Sequence, residues 1–458
     1  MIFEYILASL IIAVGIIPMV FEYHFKSFDI FNFKNAFILY YIIQLAISGI
    51  ISISTNKVSN ISLDTVVYHN FYTKAFFASL IGIIFFQIGY YTSGKKSFAI
   101  PKILPCNWKK FNTKLLVFGF IFLGYSAFFL LLINNGGISQ FLIDRESFRA
   151  GGLSGQGFLL YPCTQLLAIA SFMSLIFIVN KKIGVIEKRS YKIPLFLLLI
   201  AIVPPFIIGF RGLIILPMLS FIMIWNYGVK KVNVKKAFPI GIFIMMVFTV
   251  YGIVREIPLG IKITPTQAYE VITQNPEILY TVVTRSKGTE IVASVIKKLE
   301  ESKMYDLGYK AIFETGTIFI PHFIWENKPE PGSVRFTTYF FGDDLSFVRG
   351  INQDSWGGVS PTIVGESFWH FSWFGVTGIL FIFGFLYRKI YQTFITNQKN
   401  MSVLLAYALI YPSLIMFPEA IQGYLNGILI NIIVLCFLVF LLKIKLTPII
   451  SPPKEKKI

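Results

Sequence analysis

A chain of 458 residues that is 55% hydrophobic and 14% charged, with mean hydropathy +0.69, is not a soluble domain; soluble proteins carry roughly 25% charged residues. The net charge of +18 invites a nucleic-acid partner, but the lysines gather in loops between apolar runs, which is the bias of a polytopic membrane protein, so no nucleic acid is expected. The three cysteines, Cys106, Cys163 and Cys436, make neither a disulfide framework nor a CxxC metal site.

Apolar runs of spanning length recur along the chain. They predict an all-α polytopic protein of about eleven transmembrane helices, at 2–20, 36–54, 72–92, 114–133, 158–179, 192–208, 212–226, 237–254, 362–386, 401–417 and 421–442. The first run lacks a basic n-region and a small-residue cleavage site, so it reads as a retained helix and not a signal peptide. The stretch 192–226 is one apolar run broken by Pro204-Pro205 and by Gly209-Phe210-Arg211-Gly212. Lysine-rich segments flank both of its ends. It therefore crosses an even number of times, as a tight hairpin turning near Gly209 to Gly212.

Loops 93–113, 180–191, 227–236 and 387–400 and the C-terminal tail hold clustered basic residues, and all five share one side under the eleven-span count. That side is the cytoplasm, which puts the N-terminus outside and the C-terminus inside. Residues 1–254 then form eight helices with a smaller outer loop at 134–157. Residues 255–361 form one large outward loop, and 362–458 form three helices and a basic tail. The large loop carries thirteen acidic and eleven basic side chains, a net of −2, so the basic excess lies elsewhere. Within it, 288–303 (GTEIVASVIKKLEESK) sets Ile291, Val292, Val295, Ile296 and Leu299 on one stripe. This predicts an amphipathic helix on the membrane surface or the bundle's outer rim.

Arginine is distributed differently from lysine. Of nine arginines only Arg189 and Arg388 fall on the predicted inner side; the others are Arg145, Arg149, Arg211, Arg255, Arg285, Arg335 and Arg349. Guanidinium is a permanently charged fork that grips phosphate bidentately. An outer set beside an apolar bundle points to a lipid diphosphate. For any single arginine, pairing with a loop carboxylate or a phospholipid head group is the alternative. In DRESFRAGG, Arg145 and Arg149 lie four apart, which makes either a diphosphate clamp or a self-paired surface helix.

Reactive side chains concentrate between Pro321 and Leu386. Glu366 and His370, four apart, share one face of a helix. A carboxylate one turn into a membrane helix requires a cation or a proton-transfer partner. Glu366 is the first candidate base and His322 the second; Asp354 is a further base or sugar-hydroxyl acceptor. Trp325 and Trp356 offer faces for stacking on sugar rings, and His370 a polar contact, although an interfacial aromatic belt accounts for such residues equally well. No P-loop, GxGxxG, HExxH or GxSxG motif occurs, and neither cofactor nor metal is expected.

This pattern resembles the O-antigen polymerases of the Wzy type. The resemblance covers the whole architecture, and locally it rests on DRESFRAGG, IGFRG, IWENKPEPG and GGVSPTIVGESFWHFSWFGVTGILFIFG. It implies a bundle similar to the GT-C kind and a metal-independent glycosyltransferase in the bacterial inner (plasma) membrane. Donor and acceptor would be undecaprenyl-diphosphate-linked oligosaccharides among the membrane lipids, joined on the outer face, with a chain-length regulator as a further partner. Arg211, Arg285 and Arg145, with Arg149, Arg255 and Arg349 behind them, would hold the leaving diphosphate while the base activates the acceptor hydroxyl. An O-antigen ligase of related architecture and a flippase for lipid-linked oligosaccharide are the rival readings.

Overall fold

The computed structural model describes residues 2–25, 27–55, 65–94, 97–98, 110–143, 157–180, 191–209, 212–233, 239, 288–308, 313, 325, 332–341, 360–416 and 420–443. Every regular element among them is a helix. α1 (Ile2–His24) is followed by α2, which runs Phe33–Ile42, widens into a π turn at Ile43–Ile47 and resumes at Ser48–Thr55. Next come α3 (Thr65–Thr92), α4 (Lys110–Asn134) and the short α5 (Gly137–Ile143). α6 also holds a π turn, running Gly157–Tyr161, Pro162–Leu166 and Leu167–Asn180. α7 (Lys192–Ile208) and α8 (Gly212–Gly228) complete the first part. α9 (Gly288–Ser302) and α10 (Gly332–Phe341) precede α11 (Ile363–Thr396), α12 (Met401–Met416) and α13 (Ile421–Lys443).

Among the described residues, six helices are long and apolar enough to cross a membrane: α1, α2, α3, α4, α6 and α11. α7, α8, α12 and the Gly427–Leu438 stretch of α13 are apolar but shorter. The predicted run at 237–254 lies outside the described residues except for position 239. Gly209 ends α7 in the left-handed conformation (φ 90°), its N–H on the Pro205 carbonyl at 2.9 Å, as glycine commonly does at a helix C-terminus. The Tyr191 ring meets Trp225 edge-on at 4.9 Å. The start of α7 thus lies beside the end of α8, in the antiparallel hairpin that the flanking lysines predict.

α3 and α11 pack backbone to backbone. A Cβ at Gly89 would meet the Phe381 carbonyl, and one at Gly384 would meet that of Phe86. Close approach through small residues is how helices associate where no hydrophobic force separates them from their surroundings. Beside this seam Phe37 stacks on Phe86 at 4.2 Å, and Tyr387 packs edge-on against both. Buried phenols need an acceptor. Tyr41 donates to the Ser79 carbonyl (2.7 Å), Tyr387 to that of Leu414 (2.5 Å) and Tyr407 to that of Phe31 (2.8 Å). Arg388 of α11 donates to the Tyr90 hydroxyl of α3 at 3.3 Å. The two helices run parallel, with Lys74 and Glu366 toward one end of the bundle and Tyr90 and Arg388 at the other.

α9 spans the Glu366 end. Its apolar stripe forms as predicted, and Ile291, Val292, Val295, Ile296 and Leu299 are all buried. Its first turn is locked into the bundle, while Lys298, Glu300 and Glu301 on its later turns stay exposed. Thr289 Oγ1 donates to the Leu45 carbonyl (2.8 Å) in the π turn of α2, and Ser52 donates to the buried Glu290 carboxylate (2.7 Å). Lys74 reaches Glu300 at 2.8 Å near the other end of α9. A Cβ at Gly288 would sit 2.5 Å from the Gln44 carbonyl, so a side chain there would push the helix away. A π turn disrupts the regular carbonyl ladder, and here Leu45 O is served by Thr289. Hydrophobic periodicity does not register such buried polar partners.

Candidate functional site

The first turns of α11 carry the site, and α11 is not one straight helix. Thr362 caps it, its Oγ1 accepting the Gly365 N–H at 3.0 Å. After His370 the backbone leaves the helix at Phe371 (φ −139°, ψ 21°) and Ser372 (φ 54°, ψ −143°). A Cβ at Gly375 would collide with the Ser367 carbonyl, so the first segment folds back onto the second. The predicted continuous span 362–386 is therefore two segments joined by a sharp turn. Ser372 and Thr362 both have positive φ, a conformation that a non-glycine residue holds only when its surroundings impose it.

Glu366 and His370 come together on that first segment, as their spacing predicts, and both are buried at 3% and 6% exposure. His370 Nε2 lies 3.9 Å from Glu366 Oε1. On its other side Nδ1 lies 3.5 Å from Asp306 Oδ2. Asp306 arrives on the turn after α9, where Lys303, Leu307 and Gly308 all have positive φ. Its own N–H donates to the Trp369 carbonyl at 3.2 Å. Arg335 of α10 reaches Asp306 Oδ2 at 3.4 Å and places its guanidinium 5.4 Å from the Trp369 ring centre. Trp369 in turn stacks with His370 (5.4 Å, 17°) and Tyr339 (6.0 Å, 20°).

Glu366 also has a structural duty. Its Oε2 accepts the N–H of Ile421 at 2.7 Å, at the first residue of α13. A carboxylate there is favoured by the helix dipole. The other oxygen faces His370. A neutral imidazole has one N–H and one lone pair, and the charged form has two N–H groups. With a carboxylate at each nitrogen, His370 can take a proton on one side and release it on the other. The present separations exceed a good hydrogen bond, and catalytic contacts commonly tighten only when substrate binds. Arg335 is the most open member, with 20% of its side chain exposed. The arrangement can move a proton while presenting a guanidinium at its edge.

Trp325 packs edge-on to Phe313 at 6.1 Å. His322, Asp354, Trp356, Arg145, Arg149, Arg211, Arg255, Arg285 and Arg349 lie outside the described residues. Sequence reasoning misses Asp306, whose one local signal is the Asp-Leu-Gly turn after an amphipathic helix. Arg335 stands among the outer arginines but is not singled out. Its spacing of four from Tyr339 is the signal that both flank one partner, Trp369.

Apolar helices of spanning length, with a buried acid–histidine–acid cluster near one end of the bundle, define a polytopic membrane protein. The family model described as O-antigen polysaccharide polymerase Wzy matches residues 1–447, and the chain belongs to that family. It is accordingly a multi-pass membrane enzyme of polysaccharide synthesis, a polymerase of the glycosyltransferase type. No curated protein and no solved structure matches the chain.

Proposed function

We propose that this Wzy-family protein joins undecaprenyl-diphosphate-linked oligosaccharide repeat units into a surface polysaccharide on the outer face of the bacterial plasma membrane, without a metal. The observation that carries the reading is His370 set between Glu366 and Asp306 with Arg335 at the edge, in a chain whose family polymerises O-antigen. The acceptor hydroxyl gives its proton to His370, which passes it to a flanking carboxylate. The acceptor oxygen bonds to the anomeric carbon of the donor. The bond from that carbon to the diphosphate oxygen breaks, and the lipid diphosphate leaves.

Charge on the leaving group is met by arginine, not by a metal ion. Arg211, Arg285 and Arg145 are assigned this task, with Arg149, Arg255 and Arg349 behind them and Arg335 joining from the cluster. His322 and Asp354 remain the reserve bases, and Trp325 and Trp356 the sugar-stacking faces. The eleven-span topology puts the Glu366 end outside, the N-terminus outside and the C-terminus in the cytoplasm. Support for this orientation comes from Lys230 and Lys231, which line a cavity with Tyr391 at the opposite end, where the positive-inside rule wants them. A chain-length regulator would act from the same outer side.

The test is a surface-polysaccharide gel of a deletion strain against its complemented parent. Collapse of a long ladder to a single capped repeat unit is expected. Loss of every capped band would overturn the polymerase reading in favour of a ligase or flippase. Arg211→Ala and Arg285→Ala should each abolish the ladder while the protein stays in the membrane. A normal ladder in both would remove the diphosphate role.

A further inference from the structure

At the Arg388 end a cavity of about 520 Å³ opens between the α1–α2 connection, the end of α8 and the last turns of α11. Small-ligand sites span roughly 300–1,000 Å³. One wall is Asp29, a half-buried carboxylate. Its Oδ1 accepts the Phe31 N–H (3.0 Å), and its Oδ2 accepts the hydroxyls of Tyr227 (2.5 Å) and Tyr391 (2.7 Å). These donors hold the carboxylate still but are all neutral. Among the described residues no basic side chain pairs with Asp29. Lys230 and Lys231 line the same cavity, are exposed, and have no carboxylate partner among the described residues. Asn226 uses its Oδ1 on the Val232 N–H (2.8 Å), which leaves its NH₂ as a donor.

The cavity thus keeps a fixed negative charge and two positive charges apart within one space. A purely anionic ligand would leave Asp29 unmatched, and a simple cation would leave both lysines unmatched. A ligand with an ammonium and a phosphate a short carbon bridge apart matches all of them. The cavity also lies where the apolar helices α8 and α11 end, which is where a spanning helix meets head groups. We propose that it binds a zwitterionic phosphoethanolamine group, with the ammonium on Asp29 and the phosphate on Lys230, Lys231 and the Asn226 amide. Such a group comes either as the head of a phospholipid or as a free soluble ester.

The experiment is native mass spectrometry of the purified full-length protein in detergent. Short-chain phosphatidylethanolamine, short-chain phosphatidylglycerol and soluble phosphoethanolamine are added separately. Retention of the ethanolamine lipid about ten-fold above the glycerol lipid is expected, the size of one charge-assisted contact. Asp29→Asn, which keeps an acceptor for both tyrosines, should remove that preference. Lys230→Gln with Lys231→Gln should weaken retention by a similar factor, and because both positions are exposed this variant carries the test if Asp29→Asn fails to fold. Retention of the soluble ester but not the lipid would support the same headgroup chemistry with a free ligand as its source. Equal retention of both lipids, or ethanolamine-lipid retention unchanged in the double lysine variant, would overturn the proposal.

Discussion

The two ends of the bundle treat buried charge in opposite ways. At the Arg388 end, Lys34 has a fully buried side chain that pairs with Glu22 and donates to the Tyr91 hydroxyl at 3.2 Å. Its ammonium also lies 5.2 and 5.4 Å from the ring centres of Tyr90 and Tyr91. Asn32 and Arg388 both donate to the Tyr90 hydroxyl, at 2.8 and 3.3 Å. The groups come from α1, α2, α3 and α11, so this network clamps four helices together. In the buried cluster around His370, at the Glu366 end, the ionisable groups lie 3.4, 3.5 and 3.9 Å apart, and the close Lys74–Glu300 pair at that end is more open to solvent. The backbone there carries positive φ at Leu307, Thr362 and Ser372. Strain and open pairing are destabilising, and they persist where a site requires them. One end is a closely paired clamp, and the other is the end to which the proposed mechanism assigns the chemistry.

That contrast can be broken by substitution, and the largest effect should fall on activity. Glu366→Gln keeps an oxygen for the Ile421 N–H but removes the proton acceptor, and His370→Ala removes the relay. Each should lower polymerisation by roughly 100- to 10,000-fold, the range for general acid–base groups. Turnover in proteoliposomes and the length of the polysaccharide ladder would report it, with the melting temperature little changed. If Glu366→Gln unfolds the protein instead, its capping of α13 is its main role and the contrast fails.

The reverse pattern is expected at the clamp. Lys34→Met leaves Glu22 facing a buried apolar group, and breaking a buried pair costs about 3 kcal/mol when, as here, one partner keeps some solvent contact. Denaturation in detergent should show that loss, and Lys34→Met combined with Glu22→Leu should recover most of it. Polymerisation per folded molecule should be unchanged in both. The smallest effect is expected at Ser372. Ser372→Gly removes the Cβ penalty at φ 54° and should stabilise by about 0.5–1 kcal/mol. A shorter ladder alongside the higher midpoint would show that the turn at 371–372 positions His370.

Much of the helix inventory is legible in the chain because a bilayer accepts few structures. Every backbone polar group must be bonded within the element, so long apolar runs become helices wherever they occur. The α7–α8 hairpin is legible for a related reason: Gly209 permits the left-handed turn, and the flanking lysines forbid a single crossing. The Glu366–His370 pair follows from the period of the helix. The break at Phe371–Ser372 does not, since neither residue is a proline or a glycine and the surrounding pattern stays apolar. Nor do the π turns at Ile43–Ile47 and Pro162–Leu166; at the first of them the Leu45 carbonyl is met by Thr289 from a distant helix.

By itself the sequence determined the helical membrane class, the segregation of lysine from arginine, the apolar stripe of α9, and one acid–histidine pair. These depend on quantities summed over neighbouring residues: transfer free energy, helical period and loop charge. Only the tertiary structure decided that the first turn of α9 is locked into the bundle, that α11 folds back on itself, and that Asp306 and Arg335 complete the cluster around His370. Those outcomes turn on contacts between segments far apart in the chain. A buried charge finds its partner through the packing of whole helices, and no local pattern encodes which helix that will be.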